Sequence, residues 1–206
     1  YQGKTLATSH YRQDCNFYLH NTIPASCLSA PSQQPVTLIW GDSHAQAISA
    51  GLREVYSGER FFAQVATSSC RPEAVSIRPE DVPRYPEEMD SSKRQACLKA
   101  NATAMALIRS GRVESVVFAV KSGYSHIDWL GLSNTLRQHK VQRVFIVGPY
   151  PQWKPSLPFA FAQNMNTPDN IDSYLNTRVF DDDEYLKRNA ALAGSAMTKV
   201  LRPIGV

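Results

Sequence analysis

Four apolar runs rich in β-branched and aromatic residues punctuate the chain: VTLIW (36–40), FFAQVATSS (61–69), SVVFAV (115–120) and VQRVFIVGPY (141–150). Runs of this kind suit strands buried on both faces, and what lies between the runs has helical spacing instead. Ala45, Ile48, Leu52 and Val55 recur at that spacing until Ser57 and Gly58, and Ser91 is placed to cap a helix with Cys97, Leu98, Asn101, Met105 and Ile108 on one face, ending near Gly111. Asp128 to Lys140 reads as a short helix. Asp181, Asp182 and Asp183 open a last one whose stripe of Leu186, Ala190, Ala193, Met197 and Val200 runs to Pro203. The alternation predicts an α/β fold, a three-layer α/β/α arrangement around a parallel sheet. Ile204, Gly205 and Val206 look like the opening of a fifth strand, so the last strand is expected to be cut short.

At 206 residues, 43% of them apolar, the chain can bury one sizeable core. Residues 1–35, with Pro24, Pro31 and Pro35, read as an irregular lead-in, and the domain proper as 36–206. Lys and Arg number 22 against 18 Asp and Glu, scattered and without a basic run, which argues against nucleic acid as a partner. No apolar run approaches the roughly 18 residues of a membrane span. Cys15, Cys27, Cys70 and Cys97 form no CxxC pair, so neither a metal site nor a thioredoxin-like motif is expected. Two local disulfides, Cys15–Cys27 within the lead-in and Cys70–Cys97, are the simplest pairing, although three connectivities are possible and four reduced thiols remain an alternative.

In a parallel sheet, ligands bind beyond the carboxyl ends of the strands. The turns Gly41 to His44, Thr67 to Cys70, Lys121 to Tyr124 and Gly148 to Tyr150 all belong to that edge. Gly41-Asp42-Ser43-His44 follows the first run directly. A serine there projects its Oγ from the active edge, beside helix N-terminal N–H groups able to stabilise an oxyanion. Asp and Ser are equally good helix caps, so position alone does not separate a nucleophile from a capped turn.

The Gly41-Asp42-Ser43-His44 block after a first strand resembles the first motif of the SGNH/GDSL hydrolase superfamily, whose sheet is flavodoxin-like. More narrowly, GDSHA, then a second strand ending in TSSCRP with a partner cysteine at Cys97, looks like the SGNH domain fused to the C-terminus of bacterial acyltransferase family 3 membrane proteins. The resemblance spans about residues 36–206. It implies a periplasmic domain of an inner-membrane protein that O-acetylates a surface glycan such as lipopolysaccharide O-antigen, with an N-terminal transmembrane acyltransferase domain as partner. It also implies no cofactor in this domain, only an acyl donor, ultimately acetyl-CoA. Alternatives are a secreted carbohydrate esterase and a catalytically silent carbohydrate-binding module.

Ser43 matches the family's nucleophile and, through its backbone N–H, one oxyanion donor. The glycine that gives a second donor is replaced by the Ser68-Ser69-Cys70 neighbourhood, leaving the Ser69 N–H as candidate, and the family's asparagine after the third strand is absent from Lys121-Ser122-Gly123. A serine needs a base, which the family supplies from a D-x-x-H block after the fifth strand. None of His10, His20, His44, His126 and His139 lies in such a block, so the Asp and His are expected after Val206, with His126 as the alternative base. Asn101 is expected to bond a nearby loop, and its Asn101-Ala102-Thr103 sequon is discounted because it lies in a helix. Trp129, Trp153, Tyr150 and Tyr124 are candidate sugar-stacking aromatics at the edge.

Overall fold

A computed structural model of the protein describes residues 12–20, 22–30, 34–74, 89–121, 127–147 and, as backbone, 198–201. Its elements are β1 (Val36–Gly41), α1 (Ser43–Val55), β2 (Phe61–Ala66), α2 (Ser91–Arg109), β3 (Val113–Ala119), α3 (Trp129–Gln138), β4 (Arg143–Val147) and β5 (Thr198–Leu201). The five strands form one sheet in the order β2-β1-β3-β4-β5, and every neighbouring pair is parallel. This is the α/β arrangement that the alternation of runs predicts.

The crossovers distribute the helices as right-handed connections require. On one face, α1 packs Ala45, Ile48 and Leu52 against Ile39, Phe62, Ala66 and Ala119. The other face carries the larger core, where Ala104, Met105 and Ile108 of α2 and Leu132 and Leu136 of α3 meet Leu38, Trp40, Val116 and Phe118. β1 is buried at all six positions, so its continuous apolar run needs no polar alternation.

Each of α1, α2 and α3 begins on an aspartate whose carboxylate accepts a backbone N–H: Asp42 from His44, Asp90 from Lys93 and Asp128 from Gly131. The cap of α2 is therefore Asp90, not Ser91, which is that helix's first residue. β2 ends at Ala66, and Thr67 to Cys70 form a turn closed by the Cys70 N–H on the Thr67 carbonyl (3.1 Å). The fifth strand also differs from expectation. Residues 198–201 are strand, so Val200 belongs to β5 rather than to a helical stripe, and the strand lies ahead of Pro203 instead of opening at Ile204. β5 covers the β4 edge that the sequence left bare, with Ile146 opposite Val200. The rest of the expected last helix, the 151–180 loop and Gly148 to Tyr150 lie outside the described residues.

Both expected disulfides form, Cys15–Cys27 and Cys70–Cys97. The lead-in is stapled by the first, but it also docks on the sheet. Asn16 bridges to Ala66, the Phe17 N–H donates to the Ala66 carbonyl (3.3 Å), and Phe17 is buried in the main core. Beneath it the side chains of Gln46 and Gln64 both donate to the Arg12 carbonyl (3.5 and 3.3 Å). Arg53 completes the polar cluster by donating to Gln64 Oε1 (2.7 Å) and Ser49 Oγ (3.0 Å), and burial pushes its guanidinium down to about 10, still charged at neutral pH.

Candidate active site

β1 delivers the Gly41 to His44 turn to the carboxyl edge of the sheet, between the exits of β2 and β3. The turn is held by Asp42. Its Oδ1 accepts the His44 N–H (2.7 Å) and its Oδ2 the Lys121 N–H (2.7 Å), while its own N–H donates to the Ala119 carbonyl (3.2 Å). Asp42 is buried, so two charge-assisted bonds tie the start of α1 to the end of β3. Asp42→Asn turns an amide N–H toward one of these donors and is expected to cost about 2–3 kcal/mol, measurable as a lower urea midpoint.

With Asp42 as cap, Ser43 is the first residue of α1, exposed, and among the described residues neither its hydroxyl nor its N–H has a hydrogen-bond partner. Asp42 therefore takes the capping role, and Ser43 does not cap the helix. His44 is half-buried with Nδ1 3.4 Å from Asp42 Oδ1. Successive residues on a helix do not face each other, so helix geometry directs this imidazole away from Ser43.

At the exit of β2, Ser69 stands in the left-handed region at φ +61°, and its N–H likewise has no hydrogen-bond partner among the described residues. The left-handed conformation is the one a glycine adopts freely. The sequence missed this because a serine hides the conformational signal that a glycine would have given. The turn is pinned from below. Cys70 is bonded to Cys97, and Asn101, fully buried on α2, donates from Nδ2 to the Arg71 carbonyl (2.9 Å) while accepting the Trp40 Nε1–H (2.8 Å). Asn101 therefore bonds the nearby loop, as expected, and its burial leaves no accessible sequon.

Glu73 follows in the same segment, and burial raises its carboxyl to about 7, with Arg71 opposing. Because the folded value lies above the unfolded one, its stabilising effect is complete below about pH 4.3 and is lost as pH rises through about 7. Glu73→Gln should raise the melting temperature at pH 8 and leave it little changed at pH 5, by differential scanning calorimetry.

Other sequence candidates are placed as follows. Trp129 is buried in the core, edge-on to Phe118 at 5.4 Å, so it is not a sugar platform. His139 ends α3, and His20 is exposed in the lead-in turn. His10, Tyr124, His126, Tyr150 and Trp153 lie outside the described residues. Asp14, Cys15 and Cys27 cluster within metal-ligand distance, but both sulfurs are joined in the disulfide. Among the described residues, a groove of about 850 Å³ runs between α1 and the sheet face, lined by Ile48, Leu52, Phe62, Val117 and Phe145 among others, and includes none of Gly41 to His44. The candidate site is the open strand edge rather than this concavity.

A parallel sheet of this order, with the exposed serine of a GDSH turn after its first strand, defines a domain of the SGNH class. The chain belongs to the family described as SGNH domain (fused to AT3 domains), whose model matches residues 8–202, and so to a family of acyltransferase-associated domains. The match begins within the lead-in that docks on β2. No curated protein and no solved structure matches the chain. None of the described helices is long and apolar enough to cross a membrane.

Proposed function

We propose that Ser43 carries an acyl group, acetyl in the simplest case, from a donor to a carbohydrate hydroxyl of lipopolysaccharide O-antigen or another surface glycan. The observation that supports this most is the exposed Ser43 hydroxyl, relieved of capping by Asp42 and standing at the N-terminus of α1. In the first half-reaction Ser43 Oγ loses its proton to a base, attacks the donor carbonyl, and the donor's leaving group departs with that proton. In the second, a sugar hydroxyl attacks the seryl ester, its proton passes to the base, and Ser43 Oγ is reprotonated as the acylated sugar leaves. The N–H groups of Ser43 and Ser69 are the oxyanion donors in this proposal. The base comes from a D-x-x-H block beyond β5, as the family resemblance implies. The partner is the AT3 domain to which the family is fused, which supplies acyl groups ultimately from acetyl-CoA. The two disulfides fit an oxidising, periplasmic location.

Solvent exposure of Ser43 favours a second reading, an esterase in which water takes the acyl group. Both readings share the seryl ester and differ in its fate. A serine-directed fluorophosphonate should label Ser43 in the complete protein, and product analysis with a glycan present should give acylated sugar. Free acid alone would identify an esterase, and no labelling would remove catalysis from the account.

A further inference from the structure

The exit of β2 presents polar side chains beside the exposed aromatic surface of the lead-in. Ser69 is exposed in a left-handed conformation that costs a non-glycine residue stability, and its hydroxyl has no partner among the described residues. Strain of this kind, where nothing in the packing needs the side chain, collects at functional sites. In the same turn the Thr67 hydroxyl is fully buried and unpartnered among the described residues, although the Thr67 N–H bonds the Gly41 carbonyl (3.2 Å). Beside them stands the lead-in turn, with Tyr18 39% and Leu19 54% exposed.

Register places the lead-in turn two strands from the turn that carries Ser43. Gly41 pairs with Ala66, and Ala66 with Asn16. Two strand spacings, about 10 Å, therefore separate the β1 exit from the lead-in backbone, with the Ser69 turn between them. The turn is also rigid. Asn16 Oδ1 accepts the Tyr18 N–H (3.0 Å), Asn16 Nδ2 donates to Gln46 Oε1 (3.2 Å), and Cys15 beside it is tied to Cys27. The Lys93 ammonium lies 5.7 Å from the centre of the Tyr18 ring.

We propose that the β2 exit and the lead-in turn form the acceptor subsite. The Ser69 hydroxyl hydrogen-bonds a sugar hydroxyl, and Tyr18 packs its ring against the sugar's apolar face, holding a neighbouring hydroxyl toward the acylated Ser43. This rests on the reading of Ser43 as an acyl carrier and names the substrate-binding part of that site. An aromatic face beside a hydrogen-bonding hydroxyl suits a pyranose, which is apolar on its C–H face and polar at its rim.

The test uses the complete protein with p-nitrophenyl acetate as donor and the methyl glycosides of glucose, galactose, mannose and rhamnose as acceptors, following nitrophenol release and acetylated glycoside separately. Ser69→Gly should raise the melting temperature by relieving the left-handed serine, yet raise the acceptor KM about tenfold. Tyr18→Ala should raise the acceptor KM by a similar factor, and Tyr18→Phe, which keeps the ring, should restore most of it. A residue with only a structural role would move stability without moving the acceptor KM. Saturable transfer that neither Ser69→Gly nor Tyr18→Ala weakens overturns the subsite while leaving the acyl carrier standing. Acetylation of Ser43 with no transfer to any glycoside overturns the subsite too, and favours the esterase. Absence of Ser43 acetylation sinks the carrier reading itself.

Discussion

Gly41→Ala is expected to leave little folded protein. A Cβ at this position would stand 1.9 Å from the Ala119 carbonyl oxygen, 2.9 Å from its carbon and 3.0 Å from the Ala45 Cβ. The first two are backbone atoms of the paired strand, since Gly41 and Ala119 are register partners at the centre of the sheet. That carbonyl also accepts the Asp42 N–H, so relief requires parting β1 from β3 where the GDSH turn is anchored. A backbone clash of this depth is expected to cost more than about 4 kcal/mol, a large share of the roughly 5–15 kcal/mol that stabilises a domain. Gly51 on α1 is the control. Among the described residues, apart from its own helix backbone, no atom lies within 4 Å of its Cβ position, so Gly51→Ala should stabilise by about 0.5–1 kcal/mol. Urea unfolding of both variants checks the pair, and a Gly41→Ala protein melting like the parent would contradict the packing at this turn.

Ser43→Ala should do the reverse, sparing the fold and removing activity. Asp42 caps α1, and the Ser43 hydroxyl is exposed and has no hydrogen-bond partner among the described residues, so stability should stay within about 0.5 kcal/mol. Were Ser43 the cap, alanine would cost about 1 kcal/mol. Acyl transfer should fall by at least about a thousandfold, because no other group replaces the lost oxygen. Measuring the melting temperature and the transfer rate on the same preparation separates the two roles. A destabilised variant that retains turnover would return Ser43 to the role of a structural turn.

The strands were legible because a sheet covered on both faces needs continuous apolar runs, and β1 to β4 coincide with them. The strand-to-helix turn was legible because it combines a glycine, an acid and a hydroxyl directly after an apolar run. What the sequence hid is longer-range. Asp42 reads as one of two possible caps until its second carboxylate oxygen is seen bonding the Lys121 N–H across the sheet. Ser69 gives no sign of its left-handed backbone, since that conformation is set by the turn and the Cys70–Cys97 bridge beneath it. The lead-in looks irregular because its 3-10 turns carry no periodic pattern, yet its polar side chains and Phe17 find partners on β2 and α1. Val200 fits a helical stripe by spacing alone, and only pairing with β4 makes it a strand. The place of Trp129 after the third strand suggests an edge aromatic. As the first residue of α3 it turns inward onto Phe118 instead.

The most direct measurement is the identity of the residue that holds the acyl group. The complete protein, mixed with p-nitrophenyl acetate and quenched in acid, is digested and the peptide bearing Ser43 is sequenced by mass spectrometry. One acetyl group on Ser43, accumulating with the donor and discharged on dilution, is the predicted result. An unmodified Ser43 during turnover, with Ser43→Ala as active as the parent, would contradict it.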